Sequence, residues 1–354
     1  MISNNERAVA TFAPAGSKPA VRTPSVKAAG PSAGISAALE ARSLQDWAVE
    51  HFVLLATVDG KIHARDRLTA MKEYWTFPPP GEEKPMVKTI RRKLNDTTSQ
   101  SLQSSEEMLW IVEPTQEGTL YVYIPGPQAG VQKLPLTMRQ LADELAPYAS
   151  EDPPAMYTAS KRSTIYKLNA RDGRVISKFS AGGSSNVQTG RCKKRPGLDT
   201  FDDDECKGDT LIIAQTEYTV HIQDQKTGHE CTIIYNQWTP NNRDRDLLRQ
   251  YSEPMDKKYF FSRHDGRVIA VDYDAGHFNP SASPLFSSPV MRVFDVARPF
   301  DDSQEDVSLI ILPQPVHRID ALDGMHVSDD MQKIVVNQTG PNGGWYAMSE
   351  ASYP

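Results

Sequence analysis

Apolar and polar positions alternate most cleanly between Leu211 and Asp272. Val220 and Ile222 take turns with Thr219, His221 and Gln223, the period of a half-buried strand. Asp224–Gly228 then predicts a tight turn, its glycine supplying the positive φ. Ile233–Tyr235 predicts the returning strand. After a polar helical stretch, Tyr259–Ser262, Asp265-Gly266 and Val268–Asp272 repeat the strand–turn–strand plan.

The same plan is legible elsewhere. Phe52–Leu55, a turn at Thr57–Gly60 and Ile62–Asp66 form one unit, preceded by a short lead-in helix over Ser43–Glu50. Met108–Pro114 and Thr119–Ile124 predict a hairpin, and Ala155–Phe179 another around Asn169–Gly173. Met138, Leu141 and Leu145 share one helical face between Pro135 and Pro147, predicting a helix over Thr137–Leu145. Asn242–Tyr251 predicts a short charged helix. Val290–Val296, Val307–Leu312 and the tail pair Val335-Val336 and Gly343–Met348 predict later strands. Residues 1–43, rich in Ala, Ser, Pro, Gly and Lys without a period, predict a disordered segment. The β domain is then 44–354, with flexible loops near 81–105 and 180–207.

Stacking the turns exposes a repeat. Asp66, Asn169, Asp224 and Asp272 each stand four residues before Ala70, Gly173, Gly228 and Gly276. Four residues before each stands a β-branched apolar side chain: Ile62, Ile165, Val220 and Val268. An Asx side chain bonds the turn backbone and glycine closes it, so the pattern describes hairpin geometry. Such repeats build propeller blades, but these are spaced unevenly, by 103, 55 and 48 residues. The expected fold is therefore mainly β: an open, modified propeller-like or β-sandwich assembly of strand–turn–strand repeats with a few short helices.

Charge and chemistry narrow the function classes. A net charge of −6 and a pI near 5.8 argue against general nucleic-acid binding. No apolar run approaches the about 18 residues of a membrane span, and no N-terminal signal h-region is visible. Phosphate-loop, G-x-S-x-G, H-E-x-x-H and kinase motifs are missing from the sequence, so no catalytic residue, cofactor or metal site is expected. Asp202–Glu205 lacks EF-hand spacing and reads as a solvated loop. His264-Asp265 sits in a turn signal, and His63, His221 and His229 lie on separate hairpins. Asn241–Asp246 reads as a polar run capping the helix that follows. Asn95 and Asn337 head N-x-T glycosylation sequons. Cys192 and Cys206 flank a polar loop and could pair, leaving Cys231 free; three unpaired structural thiols fit the spacing equally well.

Phe52–Asp66 (FVLLATVDGKIHARD) and Thr216–Gly228 (TEYTVHIQDQKTG) resemble the luminal domain of the inositol-requiring kinase/endoribonuclease, the endoplasmic-reticulum sensor of unfolded proteins. Asn241–Tyr251 with Met255–Tyr259 and His264–Gly266 is similar to its fungal branch, as are Pro135–Leu141 and Gly343–Ser349. These matches keep one order from about residue 46 to 354. Ala70, where the family has a turn glycine, and Cys231, where it often has tryptophan, depart from the pattern.

The resemblance implies a location in the endoplasmic-reticulum lumen, as part of a single-pass membrane protein. It also implies a signal peptide, a membrane span, and a cytosolic kinase and ribonuclease, none of which reads in these 354 residues. The chain itself is then non-catalytic. Its implied partners are a second copy of itself, unfolded polypeptides and the luminal chaperone BiP. Strand Ala159–Leu168 matches the family's dimer contact, and Lys161, Ser163 and Ile165 project to one side of it. It is expected to be an exposed sheet edge. The competing readings are a quinone-dependent propeller-type dehydrogenase and a β scaffold that only assembles other proteins.

Overall fold

The period-two segments become strands because each has an apolar face to bury. The computed structural model describes residues 44–68, 72–92, 108–126, 130–180, 208–225, 228–240, 245–274, 277–278, 284–300, 307–315, 334–340, 343–349 and 352–353. These fall within one unit, Ala41–Pro354. The segment 1–43 and most of the two predicted loops lie outside them.

In chain order the strands begin with β1 (Trp47–Thr57), β2 (Ile62–Asp66), β3 (Glu73–Phe77), β4 (Val87–Arg92), β5 (Leu109–Glu113), β6 (Thr119–Ile124) and β7 (Gly130–Thr137). A short helix, α1 (Met138–Gln140), widens into a π-helical turn over Leu141–Leu145. Then come β8 (Tyr148–Glu151), β9 (Pro154–Asn169), β10 (Val175–Ser180), β11 (Thr210–Asp224), β12 (Glu230–Pro240) and the helix α2 (Arg245–Gln250). The last are β13 (Lys258–Ser262), β14 (Val268–Asp272), β15 (His277–Phe278), β16 (Val290–Pro299), β17 (Ile310–Pro313), β18 (Ile334–Gln338) and β19 (Trp345–Ser349).

Among the described residues they form four open sheets: β17-β16-β1-β2-β3, β10-β9-β11-β12-β4 with β8 also paired to β9, β13-β14-β15 and β18-β19-β5-β6-β7. The expected mainly β, open assembly is what the structure shows. One core joins three of the sheets through Leu54 and Ile62, Val220 and Ile233, and Val112 and Leu120. Each such fully buried aliphatic side chain contributes about 1.5–3 kcal/mol.

At three of the four repeat positions the Asx side chain bonds the turn backbone as predicted; Ala70 and Gly276 lie outside the described residues. Asp66, Asn169 and Asp272 accept from the backbone N–H two residues on, at 3.2, 2.9 and 3.1 Å. Gly173 has φ 70°, and a Cβ there would stand 2.5 Å from the Trp75 ring. That indole donates to the Ala170 carbonyl at 2.9 Å, so the turn and β3 lock together.

Three expectations need correction. Ser43–Glu50 does not make a helix: a 3-10 turn at Leu44–Asp46 leads straight into β1. There, Trp47–Val49 pair with Ala297–Pro299 of β16. Within the predicted loop 81–105, Val87–Arg92 is β4, paired with Glu230–Tyr235. Most consequential, β9 is not a simple edge strand, as developed below.

Candidate functional site

The long strand β9 is covered on one side by β11 along its length, from Ala155 opposite Asp224 to Asn169 opposite Thr210. Its other side is divided. β8 pairs with Pro154–Tyr157 and β10 with Thr164–Leu168. Between them, Thr158–Ser163 meets no strand among the described residues. A six-residue window of sheet edge is thereby left open.

Lys161 and Ser163 lie in this window. Ile165 does not: it pairs with Phe179 on one side and Ala214 on the other. The expected edge thus ends at Ser163, because β10 returns through the Asn169–Gly173 turn and takes the remaining positions. Two exposed apolar side chains flank the window, Met156 on β9 (47% exposed) and Phe179 on β10 (51%). Phe179 carries a sequence signal, an apolar side chain between Lys178 and Ser180; Met156, between Ala155 and Tyr157, carries none.

Lys161, Ser163 and Ile165 share a face, as the alternation predicted. Lys161 stands opposite Tyr218, and Tyr218 opposite Tyr235. These two phenol rings stack at 6.1 Å, with the Lys161 ammonium 5.5 Å from the Tyr218 centroid. Lys161 Nζ also donates to both oxygens of Asp143, at 2.8 and 3.0 Å, tying the face to the π-helical turn. Thr137 caps that helix by accepting from the Gln140 N–H at 3.0 Å. Ser163 and Thr216 hydroxyls are bonded at 3.2 Å. Burial pushes the Tyr218 phenol up, so it stays neutral at physiological pH.

The opposite face holds a cleft of about 460 Å³. Phe77, Tyr166 and Trp238 form its aromatic floor, with Phe77–Tyr166 and Tyr166–Trp238 centroids 5.2 and 5.8 Å apart. Lys84 on its rim pairs with Glu217 at 3.2 Å.

A third cluster is buried. Arg67, 4% exposed, bonds Asp256 through Nε at 2.8 Å and Nη2 at 2.6 Å, and Asp295 through Nη1. Tyr251 of the segment after α2 donates to Asp295 as well. Burial alone would lower the Arg67 pKa; the two carboxylates outweigh it and raise it. The arrangement pins α2 and β13 to the sheet of β1, β2 and β16. Every donor faces a carboxylate of the chain itself, so its role is structural.

Other sequence candidates fall apart in space or lie outside the described residues. Asn95, Cys192, Cys206, Ala70 and Asp202–Glu205 are outside. Asn337 is exposed on β18, opposite Tyr346. Cys231 is half-buried on β12, against the main core. Asp265 closes its turn by accepting from the Arg267 N–H at 3.0 Å. Among the described residues, no three His, Cys, Asp or Glu side chains gather as metal ligands would.

The class this architecture defines is a mainly β domain with the fold of the lumenal domain of yeast Ire1, which superposes with a TM-score of 0.62. That match covers 88% of this chain and 86% of the other, at 23% identity. In sequence, the chain is 44% identical, over 99% of its length, to the serine/threonine-protein kinase/endoribonuclease ireA of Aspergillus fumigatus. It is 23% identical, over 85% of its length, to the Schizosaccharomyces pombe protein named "Sensor for unfolded proteins in the ER ire1". The chain is thus a relative of the fungal inositol-requiring kinase/endoribonucleases, over part of their length. It spans 30% of the Aspergillus protein and 33% of the fission-yeast one. No family model matches the chain.

Proposed function

We propose that this chain is the luminal sensing portion of an endoplasmic-reticulum kinase/endoribonuclease. It pairs with a second copy along Thr158–Ser163 and binds unfolded polypeptide on the sheet so extended. The observation that carries this reading is the open window on β9, flanked by exposed Met156 and Phe179. Unpaired N–H and C=O groups are a template for another strand. Two identical edges meeting about a two-fold axis satisfy one another, since a two-fold interface is self-complementary. The face bearing Arg162, Thr164 and Tyr166, where the cleft lies, then continues across both copies. It offers hydrogen-bonding side chains above an aromatic floor to an extended chain. A client that contacts both copies binds the dimer better than the monomer, so binding drives assembly.

In this reading the chain is non-catalytic, and any kinase and ribonuclease chemistry belongs to the remainder of the protein. The luminal location and an association with BiP follow from the family resemblance. Asn337, exposed on its strand, is an accessible glycan acceptor; loss of mass on peptide-N-glycosidase treatment of the secreted chain checks it.

Sedimentation velocity over a concentration series, with and without an unfolded polypeptide, tests the proposal. The expected result is a reversible dimer whose population rises with the polypeptide. A chain that stays monomeric and leaves a labelled unfolded polypeptide's anisotropy unchanged would overturn it. A chain that dimerises without binding the polypeptide would be a scaffold, not a sensor.

A further inference from the structure

A cavity of about 100 Å³ lies where β13, β16 and the segment Ser352–Tyr353 meet. Three of its lining residues carry buried polar atoms with no hydrogen-bond partner: Arg292 Nη1, Ser262 Oγ and Tyr353 OH. All three atoms can donate. Arg292 extends from β16 at the register position opposite Ala56. Its guanidinium carbon stands 5.3 Å from the centroid of the Phe294 ring, and no carboxylate pairs with it among the described residues.

The contrast with Arg67 is direct, for that guanidinium meets Asp256 and Asp295. Leaving a buried charge uncompensated is strongly unfavourable. Among the described residues, the groups around Arg292 do not supply the missing charge. Tyr235 and Tyr353 present phenols. The Gln314 amide is already committed, accepting from the Phe260 N–H at 2.8 Å and donating to the Lys258 carbonyl at 3.0 Å. Glu113, the carboxylate acting on Tyr353, accepts from Tyr121 and from the Ser349 N–H at 3.0 and 3.1 Å. Several orphaned buried polar atoms in one cavity point to an unassigned water or ion. Water satisfies hydrogen bonds but leaves the guanidinium charge uncompensated; an anion does both.

We propose that this cavity binds one small inorganic anion of halide size, held by the Arg292 guanidinium with Ser262 and Tyr353 donating to it. The anion ties three parts of the chain together: β16 of the five-stranded sheet, the β13–β14 hairpin and the Ser352–Tyr353 segment. Its loss loosens that segment first, since Tyr353 is anchored there by a hydroxyl with no other partner.

Thermal unfolding at constant ionic strength, with sodium gluconate replaced stepwise by sodium chloride, tests this. Gluconate is too large for the cavity. Saturating chloride is expected to raise the Tm of the wild-type chain by on the order of 3 °C, with no such rise in Arg292→Met. No rise in the wild type, or an equal rise in the variant, would overturn the site. Should Arg292→Met fail to fold, crystals of the wild-type chain soaked in bromide decide instead. An anomalous peak beside Arg292 supports the site; density there without anomalous signal is water and sinks it.

Discussion

β9 is one strand with two fates. From Thr164 to Leu168 it has a partner on each side, and its side chains grow more buried toward Leu168 and Asn169. From Thr158 to Ser163 it has one partner among the described residues, and Thr158, Ser160, Lys161 and Arg162 are exposed. The sequence turns from TASKRS to TIYKL between the halves, and what lies beside them changes with it. Among the described residues β8 and β10 do not meet, and the window is the gap between them. A strand in mid-sheet serves stability, whereas a strand with one open side is available for association. The proposed function needs the second half to stay open and the first to stay closed.

Three variants test that division. The largest effect is expected from Ile165→Pro. Proline removes a donor from a ladder position paired with both Phe179 and Ala214. The cost is of the order of 3 kcal/mol, from the lost bond, the partner left unsatisfied and the displaced side chain. Denaturant unfolding should show the midpoint falling sharply, with self-association lost only as a consequence of poorer folding. A variant of wild-type stability that becomes monomeric would mean that Ile165 belongs to the interface and that the division at Ser163 is misplaced.

The second substitution pair inverts the outcome. Met156→Ser with Phe179→Ser removes the two exposed apolar side chains beside the window. Exposed sites of this kind shift stability by no more than about 0.5 kcal/mol each. Interface anchors, by contrast, cost upward of about 1.4 kcal/mol on truncation, a tenfold loss of affinity. Sedimentation equilibrium should therefore show a dimer at least about tenfold weaker in a chain with an unchanged melting curve. An unchanged dimer would leave the window without its flanking contacts and turn attention to other surfaces.

How much of this was legible before any coordinates follows from the range of the interactions involved. The hairpins β11–β12, β13–β14 and β9–β10 rest on side-chain alternation and an Asx–Gly turn, all within a few residues, and the sequence displays them. The start of β1 rests on Arg298 and its neighbours on β16, some 250 residues away; Arg298 Nε donates to Glu50 Oε1 at 2.6 Å. Locally that stretch, SLQDWAVE, has the composition of a helix start. β4 is polar because only its first residue, Val87, is fully buried, so nothing marked it except its partner β12. The shared face of Lys161, Ser163 and Ile165 was readable from period two alone. The boundary of the window was not, because it depends on where two other strands stop. The Arg67–Asp295 pair, 228 residues apart in sequence, gave no local sign at all.

The smallest effect is expected from Lys161→Glu. Lys161 is the charged residue of the window that also reaches the helix, and its side chain is 39% exposed against 29% for Asp143. An ion pair so open to solvent contributes about 0.2–1 kcal/mol, reduced further by salt. Its loss, with the new glutamate placed beside Asp143, should lower stability only within that range. The effect on association is different in kind. In a two-fold pairing each Lys161 lies near its own counterpart or close to the axis, so the substitution places two added carboxylates near one another. Like charges opposed across an interface disfavour it, and the penalty is screened as ionic strength rises. The dimer of Lys161→Glu should therefore be weak at low salt and recover toward wild type as salt increases, while its melting curve barely moves. A dimer constant that ignores both the substitution and the salt would show that Lys161 faces solvent in the assembled sheet, and that copies pair with the window's opposite face turned inward.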